Sequence, residues 1–162
     1  MEEKSLVKLD RIDRSILAQL QENGDLSNTD LADRVGLSPS PCLRRVRLLE
    51  EAGIIVRKVT VLNARKLGLT LTAMVQIGMD RHTPDRFETF EKTVAGYPEV
   101  QACYLITGQD ADYLLQVIVP DMDAYQSLLL ERITRIPGVT GVHSSFVMRK
   151  VVDRPALPLN YV

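Results

Sequence analysis

Residues 26–55 read LSNTDLADRVGLSPSPCLRRVRLLEEAGII, two short amphipathic segments either side of a glycine. Leu31, Ala32 and Val35 form one apolar stripe, and Gly36 lets the chain turn sharply. Ser38 before Pro39 is a strong helix start, a capping oxygen followed by a residue with preset φ. On a helical wheel from Ser38, residues Cys42, Leu43, Val46 and Leu49 gather on one side. Ser40 and Arg44 point the opposite way, with Arg45 and Arg47 on the flanks. No acidic residue occurs between Ser38 and Leu49, so three arginines stand on the exposed side with nothing local to neutralise them. An amphipathic helix with a few arginines is usually a solvated surface. Here the preceding helix, the glycine turn, the serine and the Gly53-Ile54-Ile55 stop fall in register, which points to a helix-turn-helix that reads double-stranded DNA. Ser38, Ser40, Arg44, Arg45 and Arg47 are its candidate DNA contacts, since a guanidinium fork can donate two hydrogen bonds to guanine or clamp a phosphate.

Outward from this stretch, a first helix over about Asp10 to Gln21 carries Ile12, Ile16, Leu17 and Leu20 at helical spacing and ends before Asn23-Gly24. It completes a three-helix unit. The β-branched run from Ile54 to Leu62, with Arg57 and Lys58, suits a short two-stranded wing or a strand leading away from the DNA. Residues 1–62 form one expected domain and 63–68 a linker.

Beyond the linker the period changes to two. Leu71, Ala73, Val75, Ile77 and Met79 alternate with polar or small neighbours over residues 69–79, the pattern of a half-buried strand. Thr83-Pro84-Asp85 opens a helix that carries Phe87, Phe90 and Val94 and stops near Gly96-Tyr97-Pro98. Strands over 100–106 and 113–119 flank a polar hairpin loop, residues 107–112. Asp121 caps a helix with Met122, Tyr125, Leu128, Leu129 and Ile133 on its apolar side, and residues 139–148 close as a fourth strand. The order βαββαβ predicts an α+β chain whose second domain, 69–150, is ferredoxin-like: an antiparallel sheet covered by two helices on one face. Its other face, carrying residues such as Leu105 and Val147, needs a partner, and a second copy of the sheet is the simplest one, so a homodimer is expected. Pro155 and Pro158 argue against a regular element in the tail, 151–162, which is expected either to lack order or to lie across a neighbouring subunit.

Composition narrows the function. The chain has 162 residues and a net charge of −1. Residues 1–65 hold 11 Lys and Arg against 10 Asp and Glu, and residues 66–162 hold 9 against 11, so the basic face acts locally and DNA affinity requires several copies to add up. No segment approaches the roughly 18 apolar residues of a membrane span, and MEEKSLVKLDR lacks a signal-peptide core, so a cytoplasmic protein is expected. Cys42 and Cys103 have neither disulfide nor metal-ligand spacing. His82 and His143 are solitary, no nucleophile or phosphate-loop motif occurs, and Asp110, Asp112, Asp121 and Asp123 lack calcium-loop spacing; neither an enzyme nor a metal site is expected.

The whole chain resembles the Lrp/AsnC family, the feast/famine transcription regulators, with the likeness running most strongly to the leucine-responsive branch. The marks are LDRIDRSIL, LADRVGLSPSPCLRRVRLLEEAGII, the YLITG…DYLLQV hairpin, DMDAYQSLLLERI and IPGV. The resemblance implies a regulatory domain that binds an amino acid, usually between dimers, and assembles dimers into octamers or related rings. Carried over, the effector loop is Thr107, Gly108, Gln109, Asp110 and Asp112, with the IPGV turn, Ile136, Pro137, Gly138, Val139 and Thr140, as the contribution of a neighbouring subunit. Backbone N–H groups of a glycine-containing loop can hold an α-carboxylate, and an acidic side chain an α-ammonium. Three residues separate Gly108 from Asp112, where the family pattern has two, so either Asp110 or Asp112 can be the one that faces the ligand; alternatively these aspartates only cap the hairpin. An apolar lining favours leucine or methionine, with no other cofactor. An amino-acid-sensing module without DNA function and an effector-independent DNA-organising protein are the alternatives.

Overall fold

The computed structural model describes residues 8–108 and 111–162, and these fall into two compact units: up to Val61 together with Val152–Val162, and Leu62–Val151. In the first unit, α1 (Arg11–Glu22), α2 (Asn28–Val35) and α3 (Pro39–Glu51) enclose a core of Ile16, Leu17, Leu31, Ala32, Cys42, Val46 and Leu49. Asp10 and Asp13 form a reciprocal capping box that starts α1, and Ser27 caps α2 by accepting from the Asp30 N–H. Gly36 ends α2 at φ +71°, a left-handed conformation that glycine reaches without a Cβ penalty, and the Leu37 N–H closes the turn on the Ala32 carbonyl at 2.9 Å.

Three local expectations differ. Ser38 holds the N-cap position of α3 with extended backbone, but its hydroxyl makes no capping hydrogen bond. Leu43 is exposed rather than packed: Cys42, Val46 and Leu49 follow the i, i+4, i+7 row that meets the other helices, and Leu43 lies beside that row. The run expected to be a wing strand forms no ladder with any described residue of this chain. Ile54 and Ile55 pack against the three-helix core, whereas Val56, Val59 and Val61 are 83%, 67% and 80% exposed.

The second unit has the order β1 (Leu71–Met79), α4 (Pro84–Ala95), β2 (Val100–Leu105), β3 (Tyr113–Val119), α5 (Met122–Ser127) and β4 (Val139–Phe146). The strands pair antiparallel as β2-β3-β1-β4, the ferredoxin-like arrangement. Ala73, Val75 and Ile77 face Val117, Leu115 and Tyr113 across the β1–β3 ladder, and this face packs on Phe90 and Val94 of α4 and on Tyr125, Leu128 and Ile133. Fully burying a side chain such as Phe90 stabilises the unit by about 2–3 kcal/mol. The last helix is not uniform: α5 widens into a π-helical turn at Leu128–Arg132 and tightens to 3-10 at Ile133–Arg135.

The uncovered face carries Met74, Tyr104, Leu114, Ile118 and Val147. Leu105 is not among them. A register shift between Val100 and Ala102 flips the alternation of β2, pairing Leu105 with Tyr113 on the helix side, where it is 58% exposed at the sheet edge. Among the described residues no helix is long and apolar enough to cross a membrane.

Candidate DNA-reading helix and effector site

On α3 the three arginines have different surroundings. Arg45 turns toward α1, and its Nη1 donates to Asp10 Oδ2 at 2.8 Å and to Asp13 Oδ1 at 2.7 Å. The same two carboxylates form the capping box of α1, so a single pair of acids starts one helix and holds the next. Hydrogen bonding from the Asp13 N–H, reinforced by Arg45, keeps the Asp10 carboxyl below its ordinary range, and the Asp13 and Asp10 carboxylates raise the Arg45 guanidinium. Arg44 and Arg47 are exposed and have no ion-pair or hydrogen-bond partner among the described residues. With Ser40 they occupy an i, i+4, i+7 row, a single stripe along the outer side of α3. Ser38 is also exposed at the start of the helix, beside N–H groups that point outward. The expectation that all three arginines share the outer face is therefore corrected for Arg45.

In the second unit, the two segments expected to hold an effector, one of them expected from a neighbouring subunit, lie on either side of the end of β1 of the same chain. Met79 donates its N–H to Asp112 Oδ2 at 2.7 Å, and the Asp112 N–H returns to the Ile77 carbonyl at 2.8 Å. On the other side of the strand, Val139 pairs with Met79, the Asp80 N–H donates to the Gly138 carbonyl at 2.8 Å, and Thr140 Oγ1 donates to the Gly78 carbonyl at 3.2 Å. Asp112 and the Ile136–Thr140 turn thus flank β1 within one chain, about 9–10 Å apart by strand spacing. Gly138 adopts φ +97°, and a Cβ there would lie 3.0 Å from Asp80 Oδ1; only glycine lets this turn close on β1. Thr107 and Gly108 lie exposed at the mouth of the β2–β3 loop. Gln109 and Asp110 lie outside the described residues.

Three participants were not apparent in the sequence. His82 Nε2 lies 2.7 Å from Asp112 Oδ1, and its ring lies against Phe87 with centroids 6.0 Å apart. Asp80 pairs with Arg86 at 3.4 Å. All three sit within a few residues of the end of β1, so the strand–helix junction was the available signal. A separate cleft of about 350 Å³ runs between α4 and β2, lined by Glu91, Val94, Cys103, Leu105 and Tyr113. Tyr113 donates to Glu91 at 2.8 Å, and burial, together with that carboxylate, pushes the Tyr113 hydroxyl well above its usual range. Cys103 is exposed at the edge of this cleft, where partial desolvation of its thiol and the Glu91 charge raise it to about 11.

Comparison with known proteins covers both units. Residues 72–157 match the model of the Lrp/AsnC ligand binding domain, and residues 9–56 match a winged helix-turn-helix DNA-binding model. The leucine-responsive regulatory protein of Escherichia coli K12 is 48% identical over 143 residues, which cover 88% of this chain and 87% of that protein. A transcriptional regulator from Neisseria meningitidis, crystallised as a complex with L-Met, superimposes with a TM-score of 0.91 at 41% identity, covering 95% of this chain and 99% of that one. An AsnC family regulator from Agrobacterium tumefaciens gives 0.89 at 40% identity, covering 94% and 99%.

Proposed function

Because this chain belongs to the Lrp/AsnC family and is a DNA-binding transcriptional regulator with an amino-acid-binding domain, not an enzyme, we propose that its DNA binding responds to leucine, methionine or a similar apolar amino acid. The observation that carries the reading is that Asp112 and the Ile136–Thr140 turn flank the end of β1 on its two sides. A carboxylate has about four lone-pair sites, so Asp112 can accept from an α-ammonium while keeping its bond from the Met79 N–H. The backbone N–H groups of Thr107 and Gly108 supply the carboxylate end of the site, and Asp110 of the same loop is the alternative to Asp112 as the partner of the α-ammonium. The L-Met complex of the Neisseria relative supports a ligand of this chemistry.

On the DNA side, Ser40, Arg44 and Arg47 read the major groove and Ser38 meets a phosphate at the start of α3. Arg45 sets the angle of α3 on α1. The reading includes a homodimer formed through the uncovered sheet face and an octamer of four dimers, in the cytoplasm. Effector bound between dimers favours one assembly over another, and its greatest effect equals its differential affinity for the two.

A thermal-shift screen of the full chain against the common amino acids tests this, because a ligand that binds only the folded form raises its melting midpoint. A rise with leucine or methionine that is lost in Asp112→Asn supports the reading. No rise with any amino acid contradicts it.

A further inference from the structure

Residues 152–162 belong to the same compact unit as the three helices, although 90 residues of the other unit separate them in sequence, Leu62–Val151. The grip is directed at backbone. The Gln21 side-chain amide reads one peptide position twice: its Oε1 accepts from the Leu157 N–H at 2.6 Å, and its Nε2 donates to the Leu157 carbonyl at 3.2 Å. Two turns earlier on α1, Arg14 Nη1 donates to the Val162 carbonyl at 3.1 Å while also holding the Leu9 carbonyl at 3.1 Å. Arg14 and Gln21 are seven residues apart, so they project from one stripe of the helix with only Ala18 between them. Leu159 packs against the three-helix core from outside. Pro155 and Pro158 bracket Leu157, and proline favours the extended backbone that such side-chain pairing needs.

We infer that the outer face of α1 is a docking site for residues 155–162 of this chain, and that the DNA-reading unit is complete only with this strap in place. Three hydrogen bonds act on one helix, the helix whose first carboxylates hold Arg45 of α3, and one apolar anchor, Leu159, packs on the core that the three helices share. The side chains of Leu157, Tyr161 and Val162 stay largely exposed, so the attachment depends on Gln21, Arg14 and Leu159 and little else. This inference stands without the effector reading.

Hydrogen exchange of the full chain tests it, read on the peptide spanning residues 155–162. Gln21→Ala removes the clamp and puts the best helix former into α1, so the variant keeps its fold; Leu159→Ser removes the anchor from the other side. The clamp engages the Leu157 N–H, so the expected result is that this amide of the peptide exchanges about tenfold or more slower than in the urea-unfolded chain, with that protection lost in both variants. Exchange at the unfolded rate in the unmodified chain overturns the inference. So does protection that survives both substitutions, because something other than this site would then hold the segment.

Discussion

Arg45 Nη1 lies 2.7 Å from Asp13 Oδ1, across 32 residues of sequence, which separates Arg45 from the outward-pointing Arg44 and Arg47. Substituting each arginine by alanine is therefore expected to give two phenotypes. Arg44→Ala and Arg47→Ala weaken DNA binding by about 5- to 150-fold, the range for a base or strong phosphate contact, with no change in melting. Arg45→Ala lowers the melting midpoint by a few degrees, and its DNA defect follows the loss of structure. Equal DNA defects at unchanged stability in all three variants would contradict this division.

The same junction gives a pH dependence of definite sign. The Asp10 carboxyl is held below its ordinary value of 3.8 by the Asp13 N–H and then by Arg45. A carboxyl whose folded value is depressed contributes stability in full above its unfolded value, and that contribution is lost as pH falls through the folded value. Melting of the helical unit is expected to be flat with respect to this group above about pH 5 and to fall below about pH 4. Asp10→Asn should remove that part of the acid sensitivity, as measured by circular dichroism.

Gly138→Ala places a methyl 3.0 Å from Asp80 Oδ1 and 3.1 Å from Met79 Cε at φ +97°. Both strain and crowding oppose it, so the loss should exceed about 1 kcal/mol and lower the melting midpoint of the sheet unit by about 4 °C or more. An unchanged midpoint would mean that this turn does not close on β1.

Cys103 should be a slow thiol. Raising its pKa from 9.0 to about 11 leaves about a hundredfold less thiolate at pH 8. The greater intrinsic nucleophilicity of the high-pKa thiolate returns about a tenfold part of this. Labelling with an aromatic disulfide is thus expected to run about tenfold slower than for an ordinary cysteine, and to reach the ordinary rate in urea. Fast labelling of the folded chain at pH 8 would place the thiol outside the cleft beside Glu91.

The local signals in the sequence were sufficient for the three helices and for the βαββαβ order of the second unit, but not for the run after Gly53, which forms no strand. The alternation from Ala73 to Met79 specified β1, and Gly36 between Val35 and Leu37 specified the turn of the helix pair. What escaped depends on partners distant in sequence. The inward turn of Arg45 needs Asp10 and Asp13, and a helical wheel contains neither. Simple alternation along β2 puts Leu105 on the uncovered face, and one irregularity near Gln101 reverses it. His82 reads as solitary until the fold brings Asp112 to it. The tail carries no periodic pattern because Gln21 and Arg14 bind its backbone rather than its side chains.

On this reading one chain couples amino-acid binding at Asp112 to DNA reading by α3. The direct measurement is the affinity of the full chain for a DNA sequence selected from a random pool, with and without leucine or methionine, for the unmodified chain and for Asp112→Asn. One of these amino acids is expected to change the affinity by about fivefold or more, the usual scale of coupling between sites, while Asp112→Asn still binds the DNA but no longer responds. An affinity that neither amino acid alters, or a response that persists in Asp112→Asn, would contradict it.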